Sequence, residues 1–401
     1  MSSRRLVGAS ALVLVSLALA ACDAGSALPG SSDDPSSSPS SSESSEAAAP
    51  QGSVATNLPR GKAPVPVDKV LKVIATDAQL TTVEVTSAAG PLEGSLSSDG
   101  ARWTAGDRLE PGTDYTLRAV AEGADGDPVR RTTTFTTQAL TLDEQTYPSV
   151  APLADETVGV GMPVIVTFDL PVTDRAAFER HMTVTSTPKQ RGSWHWLTDN
   201  EAHWRPAKYW KPGTKVSVDV DINGVDAGNG IYGQEDRVVD FEVGDAHIYK
   251  VDMVTHQMKV LSNGKLLRTI PITTGEQPEF TTRTGTKVII EKFDSKTMNS
   301  ETVGITGADA YNIDNVQWAM RLTYSGEFIH AAPWSTGSQG YANVSHGCTG
   351  MSTADAGWLY DMTRRGDVVQ YTGSDKPMTL DNGYGDWNAS FADYAKGSAL
   401  R

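Results

Sequence analysis

Val344-Ser345-His346-Gly347-Cys348-Thr349-Gly350 is the stretch on which the reading of this 401-residue chain turns. Cys348 is the only cysteine beyond the first 22 residues, so the folded part offers it no intramolecular disulfide partner. Its thiol is inert filler, a metal ligand or a nucleophile. The neighbours favour the nucleophile. His346 and Gly347 before it and Thr349-Gly350 after it make a small-residue turn, where backbone N–H groups can converge on a bound carbonyl oxygen. Upstream, Ile329-His330-Ala331-Ala332-Pro333-Trp334 places a second histidine after an apolar, strand-like run. A nucleophilic thiol needs a base to take its proton and donors to hold the oxyanion, and both are present. His330 and His346 both qualify as the base, since His346, two positions before Cys348, shares its side of an extended chain.

Residues 1–22 read as a targeting segment outside the fold. Arg4 and Arg5 give a positive start, and Leu6 to Ala20 is apolar but short for a bilayer span. Leu19-Ala20-Ala21-Cys22 resembles a bacterial lipobox, in which Cys22 is lipidated and becomes the mature N-terminus. Residues 23–63 read as a disordered tether: ten of the sixteen positions from Ser31 to Glu46 are serine, the rest Asp, Glu and Pro. That composition buries too little apolar surface to offset the entropy of ordering. A tether of this length reaches roughly 35 Å r.m.s., enough to hold a protein at a membrane while it works above it. An exported chain without disulfides relies on large apolar cores.

From Pro64 onward the pattern is short alternating strands, as in Thr82-Val83-Glu84-Val85-Thr86 and Tyr115-Thr116-Leu117-Arg118-Ala119. Trp103 and Pro111-Gly112-Thr113 recur as Trp204 and Pro212-Gly213-Thr214, each displaced by 101 positions, and Tyr115, Leu117 and Ala119 map onto Val216, Val218 and Val220. The repeat predicts two tandem immunoglobulin-like β-sandwiches, at 64–140 and 141–245, packed around these tryptophans. The second carries Trp194, Trp196, Trp204, Tyr209 and Trp210, which either stack on glycan or, as is commoner, fill the core or an interface. His195 and His203 lack the companions of a metal site.

Residues 246–373 form the domain that holds Cys348. Strands are expected at 247–252, 258–261 and 266–270, with a hairpin at Asn263-Gly264, then at 284–290 and 368–371. One helix is expected over Thr353 to Thr363, with Ala354, Trp358, Leu359 and Met362 on one face. The fold class is therefore mainly β, the third domain mostly antiparallel. Residues 374–401, with Trp387, Phe391 and Tyr394, are too aromatic for disorder and are expected to pack as a C-terminal subdomain on the catalytic domain or its sandwich neighbour. Removing Arg4 and Arg5 takes the formal charge from −15 to −17, which argues against nucleic acid and anionic headgroups as partners. No cofactor or metal is expected, since no phosphate-cradling loop or metal-ligand spacing occurs.

His330, Ala332-Pro333-Trp334 and Ser345-His346-Gly347-Cys348, with 18 positions from His330 to Cys348, resemble the L,D-transpeptidase catalytic domain, the YkuD-type fold, over about residues 246–373. The upstream domains resemble those of its immunoglobulin-bearing branch. The resemblance implies Cys348 as nucleophile, reactive as a thiolate at neutral pH, His330 as base in preference to His346, and oxyanion donors on His346, Gly347 and Cys348. It implies a substrate-loop role for Tyr311, with Met298, Ser345 and Trp334 lining the same pocket. Two positions depart from the pattern. Ala331 stands where the family often has Ser, so that His330 must be oriented by a backbone carbonyl or another residue. Gly350 stands where it usually has Asn.

The implied partners are peptidoglycan stem peptides, carbapenem-type inhibitors, and the cell membrane through the lipid on Cys22. The implied reaction releases D-alanine from a tetrapeptide donor and makes a 3-3 cross-link. An L,D-carboxypeptidase on the same fold, or a catalytically weakened wall-binding lipoprotein, remains open on the sequence.

Overall fold

Alternating apolar positions fold into sheets along nearly all of the described residues, 52–59, 61, 63–124 and 126–401 of a computed structural model. The expected signal segment, Cys22 and most of the expected tether lie outside them. The first sandwich has two four-stranded sheets. One is ordered Ser53–Thr56, Lys72–Thr76, Arg102–Ala105, Gly94–Leu96, the other Gly90–Pro91, Ala78–Ser87, Asp114–Gly123, Pro128–Thr136. It therefore begins eleven positions before the expected boundary at 64, since Ser53–Thr56 pairs antiparallel with Lys72–Thr76. Composition conceals this strand because Val54 is its one buried side chain, and cross-strand pairing holds the rest.

The second sandwich pairs Pro148–Ala151, Val164–Phe168, Glu201–Pro206 and Gly192–Thr198 in one sheet. The other contains Thr157–Val158, Arg237–Val243, Lys215–Val220 and Met182–Thr187. The repeat has a structural counterpart. Trp103 and Trp204 are both buried, and the Pro-Gly-Thr turns put Gly112 and Gly213 at φ 58° and 74°. Their N–H groups donate to Gln138 O and Val243 O, both at 2.8 Å. The aromatic cluster fills the core. Trp194, Trp196, Trp204 and Trp210 are all buried, and Tyr209 packs edge-on against Trp387 at 4.5 Å. Those faces are consumed by packing and are closed to sugars.

The third domain sets a five-stranded sheet (Lys265–Pro271, Gln257–Ser262, His247–Asp252, Val368–Thr372, Gly285–Val288) with a four-stranded one (Glu291–Asn299, Asn312–Arg321, Phe328–Ala331, Thr349–Met351). Asn263 and Gly264 make the expected hairpin with φ 49° and 81°, the sign pattern of a type I′ turn. The helix runs Thr353–Met362, capped by the Ser352 hydroxyl. Its buried residues are Ala356 and Leu359, while Ala354 is exposed, contrary to the expected face. Trp358 is half-buried beneath the Arg268 guanidinium at 4.0 Å.

The second sandwich and this domain are continuous. Val288, Ile290, Val368 and Tyr384 belong to the sandwich's own apolar cluster, and Gly159 and Gly161 donate to Arg365 O and Gly366 O at 2.8 Å. The first sandwich is joined by polar contacts, Arg108 to Asp221 at 3.3 Å and Asn223 to Glu110 at 2.8 Å. The tail packs on both neighbours: its start bonds the catalytic domain, the Thr284 N–H donating to Lys376 O and the Met378 N–H to Thr284 O, both at 2.8 Å, and its aromatic end lies on the second sandwich. Arg205 lies 4.7 Å from the Trp387 ring and 4.4 Å from the Tyr394 ring. Asp386, fully buried, accepts from His203 Nδ1 at 3.0 Å and from the Tyr394 hydroxyl at 2.9 Å. Asn388 reaches the other way, accepting the Thr286 N–H at 2.8 Å. A lone arginine and histidine in the sandwich, 180 positions upstream, give no local signal of this docking.

Burial alone would depress the His203 imidazolium, but the Asp386 and Glu201 carboxylates override it and hold the group up at about 9. A group raised above its ordinary value of about 6.5 stabilises the fold fully below that value. The contribution is lost as pH rises through about 9. Urea unfolding from pH 7 to 10 is expected to show stability falling across this window. The variant His203→Gln should flatten the fall while costing about 3–5 kcal/mol at pH 7. Parallel slopes in the two proteins would remove His203 as the source.

Candidate active site

The short strands Phe328–Ala331 and Thr349–Met351 pair in parallel, with His330 opposite Gly350. That register sets His330 beside the end of the turn that carries Cys348, and both side chains line one cavity of about 390 Å³. The connection between the strands is stapled at several points. Asn343 Nδ2 donates to Met253 O at 2.9 Å, and its Oδ1 accepts from the Thr274 hydroxyl at 2.8 Å. Thr273 Oγ1 donates to Ala342 O at 2.8 Å and accepts the Val344 N–H at 3.0 Å. Gln339, buried, donates to Ala332 O at 2.9 Å. The sequence reading missed all four residues; their types are ordinary turn and strand residues, and only the fold gives them this role.

His330 is buried, and its Nδ1 lies 2.8 Å from Ala331 O. A carbonyl only accepts, so Nδ1 carries the hydrogen and Nε2 is the free base. The backbone of Ala331 thus supplies the orienting bond that its side chain lacks. Cys348 is 8 % exposed and packs with Met298, Val316, Ala319 and Phe328. Its thiol donates to Gly326 O at 3.6 Å. Burial pushes that thiol up to about 12 and pushes His330 down. Burial therefore disfavours the charged form of each group, and the expected thiolate has to form against that desolvation. Both charged forms lose hydration in the same apolar pocket.

The turn preceding Cys348 is held from within. Ser345 Oγ donates to Cys348 O at 2.6 Å and accepts the Gly347 N–H at 3.1 Å. Ser345 borders the cavity, but its hydroxyl is spent on shaping the turn rather than on meeting a substrate. The Gly347 N–H is likewise engaged, so the expected three oxyanion donors reduce to two, His346 and Cys348. Their N–H groups have no partner among the described residues. Gly347 sits at φ +124°, a conformation closed to side chains. Its carbonyl accepts from Thr282 Oγ1 at 2.8 Å.

His346 is exposed, its ring packed against Phe280 at 4.4 Å and Tyr311 at 4.9 Å. Trp334 stacks 5.8 Å from His330 and is 56 % exposed at the cavity mouth. Met298 and Tyr311 flank a hairpin excursion between Asn299 and Asn312, and both line the cavity. Ser300, fully buried, closes that excursion by accepting the Tyr311 N–H at 2.9 Å and donating to Ile305 O at 2.9 Å. Burial lifts the Tyr311 phenol to about 12, so it stays neutral and able to donate. One carboxylate trio, Asp107, Asp221 and Asp236, is gathered from both sandwiches, where no sequence spacing announced it. It is exposed, and Arg108 already pairs with Asp221.

Gly350 fills its place for a steric reason. It exchanges backbone hydrogen bonds with Thr273 at 2.9 Å in both directions. A Cβ there would lie 2.8 Å from Ala332 Cβ and 3.1 Å from Thr273 Cγ2.

Two family models match this chain, the bacterial Ig domain over residues 62–226 and the L,D-transpeptidase catalytic domain over residues 246–370. The chain is 37 % identical to L,D-transpeptidase 2 of Mycobacterium tuberculosis over 345 residues, spanning 84 % of this chain and 83 % of that one. The chain belongs to the L,D-transpeptidase family. L,D-transpeptidase 5 of the same organism is 35 % identical, over 81 % of this chain and 72 % of that one. The solved structure of an LD transpeptidase in complex with imipenem superposes with TM-score 0.50 at 39 % identity, covering 56 % of this chain and 97 % of that one. The chain is thus a cysteine-dependent acyltransferase of mainly β architecture, with immunoglobulin-like sandwiches preceding the transpeptidase domain.

Restoring the family's usual side chain should harm this member. Gly350→Asn is expected to lower stability by about 1–3 kcal/mol through overpacking, read by thermal denaturation. A variant as stable as the parent would mean that Ala332 and Thr273 yield.

Proposed function

We propose that Cys348 is the nucleophile and His330 the general base of a transpeptidation on peptidoglycan stem peptides. The observation that carries this is one cavity lined by a buried thiol and by an imidazole whose Nδ1–H is tied to Ala331 O. Nε2 of His330 takes the thiol proton as sulfur attacks the carbonyl of the third stem residue. The N–H groups of His346 and Cys348 receive the oxyanion, each such donor being worth about 2.7–4 kcal/mol. Collapse expels D-alanine, to which His330 returns the proton. An amine of a neighbouring stem then attacks the thioester, gives its proton to His330, and leaves a 3-3 cross-link and the free thiol. Water in place of the amine would give the carboxypeptidase outcome. Tyr311, Met298 and Trp334 line the cavity that would receive the donor stem.

The wall location belongs to the same proposal. Cys22, if lipidated, holds the enzyme at the outer membrane face, and Cys22→Ala is expected to release it from the membrane fraction with its activity in vitro intact. A variant still bound would assign the attachment to another part of the chain.

Mass spectrometry of a disaccharide-tetrapeptide incubated with the purified enzyme is expected to show a cross-linked dimer and free D-alanine. Tripeptide alone would make it a carboxypeptidase. Cys348→Ala should abolish turnover with the fold intact, and His330→Ala should lower it by about 10²–10⁴. If His330→Ala stays active while His346→Ala does not, the base is His346. Because burial lowers His330, the acid limb of kcat/KM should fall below the ordinary histidine value of about 6.5.

An acylating β-lactam presents a strained carbonyl to the same thiol, and a relative at 39 % identity has been solved with imipenem. A carbapenem is expected to add one inhibitor mass to the enzyme and none to Cys348→Ala. Equal adducts on both would place the reactive group elsewhere.

A further inference from the structure

Beneath the nucleophile's turn lies a charge cluster that the mechanism above leaves unused. Lys287, on the strand Gly285–Val288, is fully buried, and its ammonium is bonded to the carboxylate of Glu327, itself 5 % exposed. The other Glu327 oxygen accepts the Arg283 N–H at 3.0 Å and its guanidinium at 3.1 Å. The three side chains carry two positive charges and one negative.

This cluster touches the Cys348 turn from several directions. Gly326, whose carbonyl accepts the Cys348 thiol, and Phe328, which packs against that thiol, are the residues flanking Glu327. Glu327 Cγ lies 3.9 Å from where a Gly347 Cβ would sit. Thr282, next to Arg283, donates to Gly347 O. Lys287 Nζ sits 3.7 Å from the centre of the Tyr371 ring, and the Tyr371 hydroxyl bonds Thr349 Oγ1 at 2.7 Å, one residue after the cysteine.

Such a cluster is a poor device for stability, because a buried ion pair is often replaced by well-packed apolar side chains at no loss. Its value is electrostatic. A thiolate forming in an apolar pocket has lost its hydration, and a fixed positive charge nearby stabilises it more strongly than it would in water. Burial lowers the Lys287 ammonium overall, and the Glu327 carboxylate opposes that shift.

Resting on Cys348 as the nucleophile, we propose that Lys287, Glu327 and Arg283 form a positioning element for it. They hold the Gly347–Cys348 turn from below, and the Lys287 ammonium and Glu327 carboxylate act in opposite senses on the thiolate that appears when His330 takes the proton. None of the three touches substrate. They act through Cys348.

The test is alkylation of Cys348 by iodoacetamide, followed by mass from pH 5 to 11, in the full chain with Cys22→Ala so that a single thiol reports. Lys287→Met should move the profile to higher pH, slowing alkylation at a fixed pH below the midpoint about tenfold for each unit moved. Lys287→Arg should restore it. Glu327→Gln, close to isosteric and so the safer variant if Lys287→Met fails to fold, should move the profile to lower pH. A purely structural cluster would move both charge-removing variants the same way or neither, and either result overturns the proposal. If the parent is not alkylated at Cys348, or Cys348→Ala still transfers, the nucleophile assignment itself fails, and that outcome is distinguishable from an unmoved profile.

Discussion

The parallel pairing of Phe328–Ala331 with Thr349–Met351 is the constraint on which the site depends. Parallel neighbours cannot be joined by a tight turn, so a long connection must leave one strand and return beside it. Here the connection spends its length on function. Its start carries Trp334, its end carries His346, Gly347 and Cys348, and its middle is stapled to Thr273, Thr274 and Met253 through Thr273 and Asn343. Those staples add to the strand pairing and to the Thr282–Gly347 and Tyr371–Thr349 bonds in fixing the turn against the sheet.

Within that frame, burial sets the chemistry. Cys348 and His330 line one cavity, where burial raises the thiol and lowers the imidazole, so that both charged forms are disfavoured. The oxyanion donors follow the same logic. Ser345 occupies the Gly347 N–H, which rigidifies the turn and leaves the His346 and Cys348 N–H groups free. One donor is used as structure so that two are fixed in place.

The surrounding domains restrict motion around this site to different degrees. Sandwich two shares an apolar cluster with the catalytic domain and is further tied to it by the tail, through His203–Asp386 on one side and Asn388–Thr286 on the other. Sandwich one meets sandwich two through exposed and partly buried polar pairs such as Arg108–Asp221. Apolar continuity resists hinging more than polar contact does, since separating it exposes hydrocarbon to water. The catalytic domain and second sandwich thus share apolar packing, whereas the first sandwich meets its neighbour through polar pairs.

By itself the sequence determined the features that are local or periodic. Two-residue alternation and the 101-residue repeat of Trp and Pro-Gly-Thr specified tandem sandwiches, because burial on one sheet face and positive φ in a turn each demand particular residues in place. Asn263-Gly264 specified its hairpin for the same reason, and the Ser-His-Gly-Cys turn with its upstream histidine pointed to two side chains that line one cavity. Where signals were weak, tertiary structure decided. Ser53–Thr56 is a strand because Lys72–Thr76 offers it an edge, and the helix buries Ala356 and Leu359 while Ala354 faces solvent. It also decided the seat of the tail, the second role of Ser345 and the charges beneath Cys348. Lys287 and Arg283 lie 40 and 44 positions before Glu327 along the chain, and no local pattern distinguishes a lysine that will be fully buried from one that will face water. Solvation and pairing are properties of the folded surroundings, so the state of the thiol and its supporting charges became legible only once those surroundings were assembled.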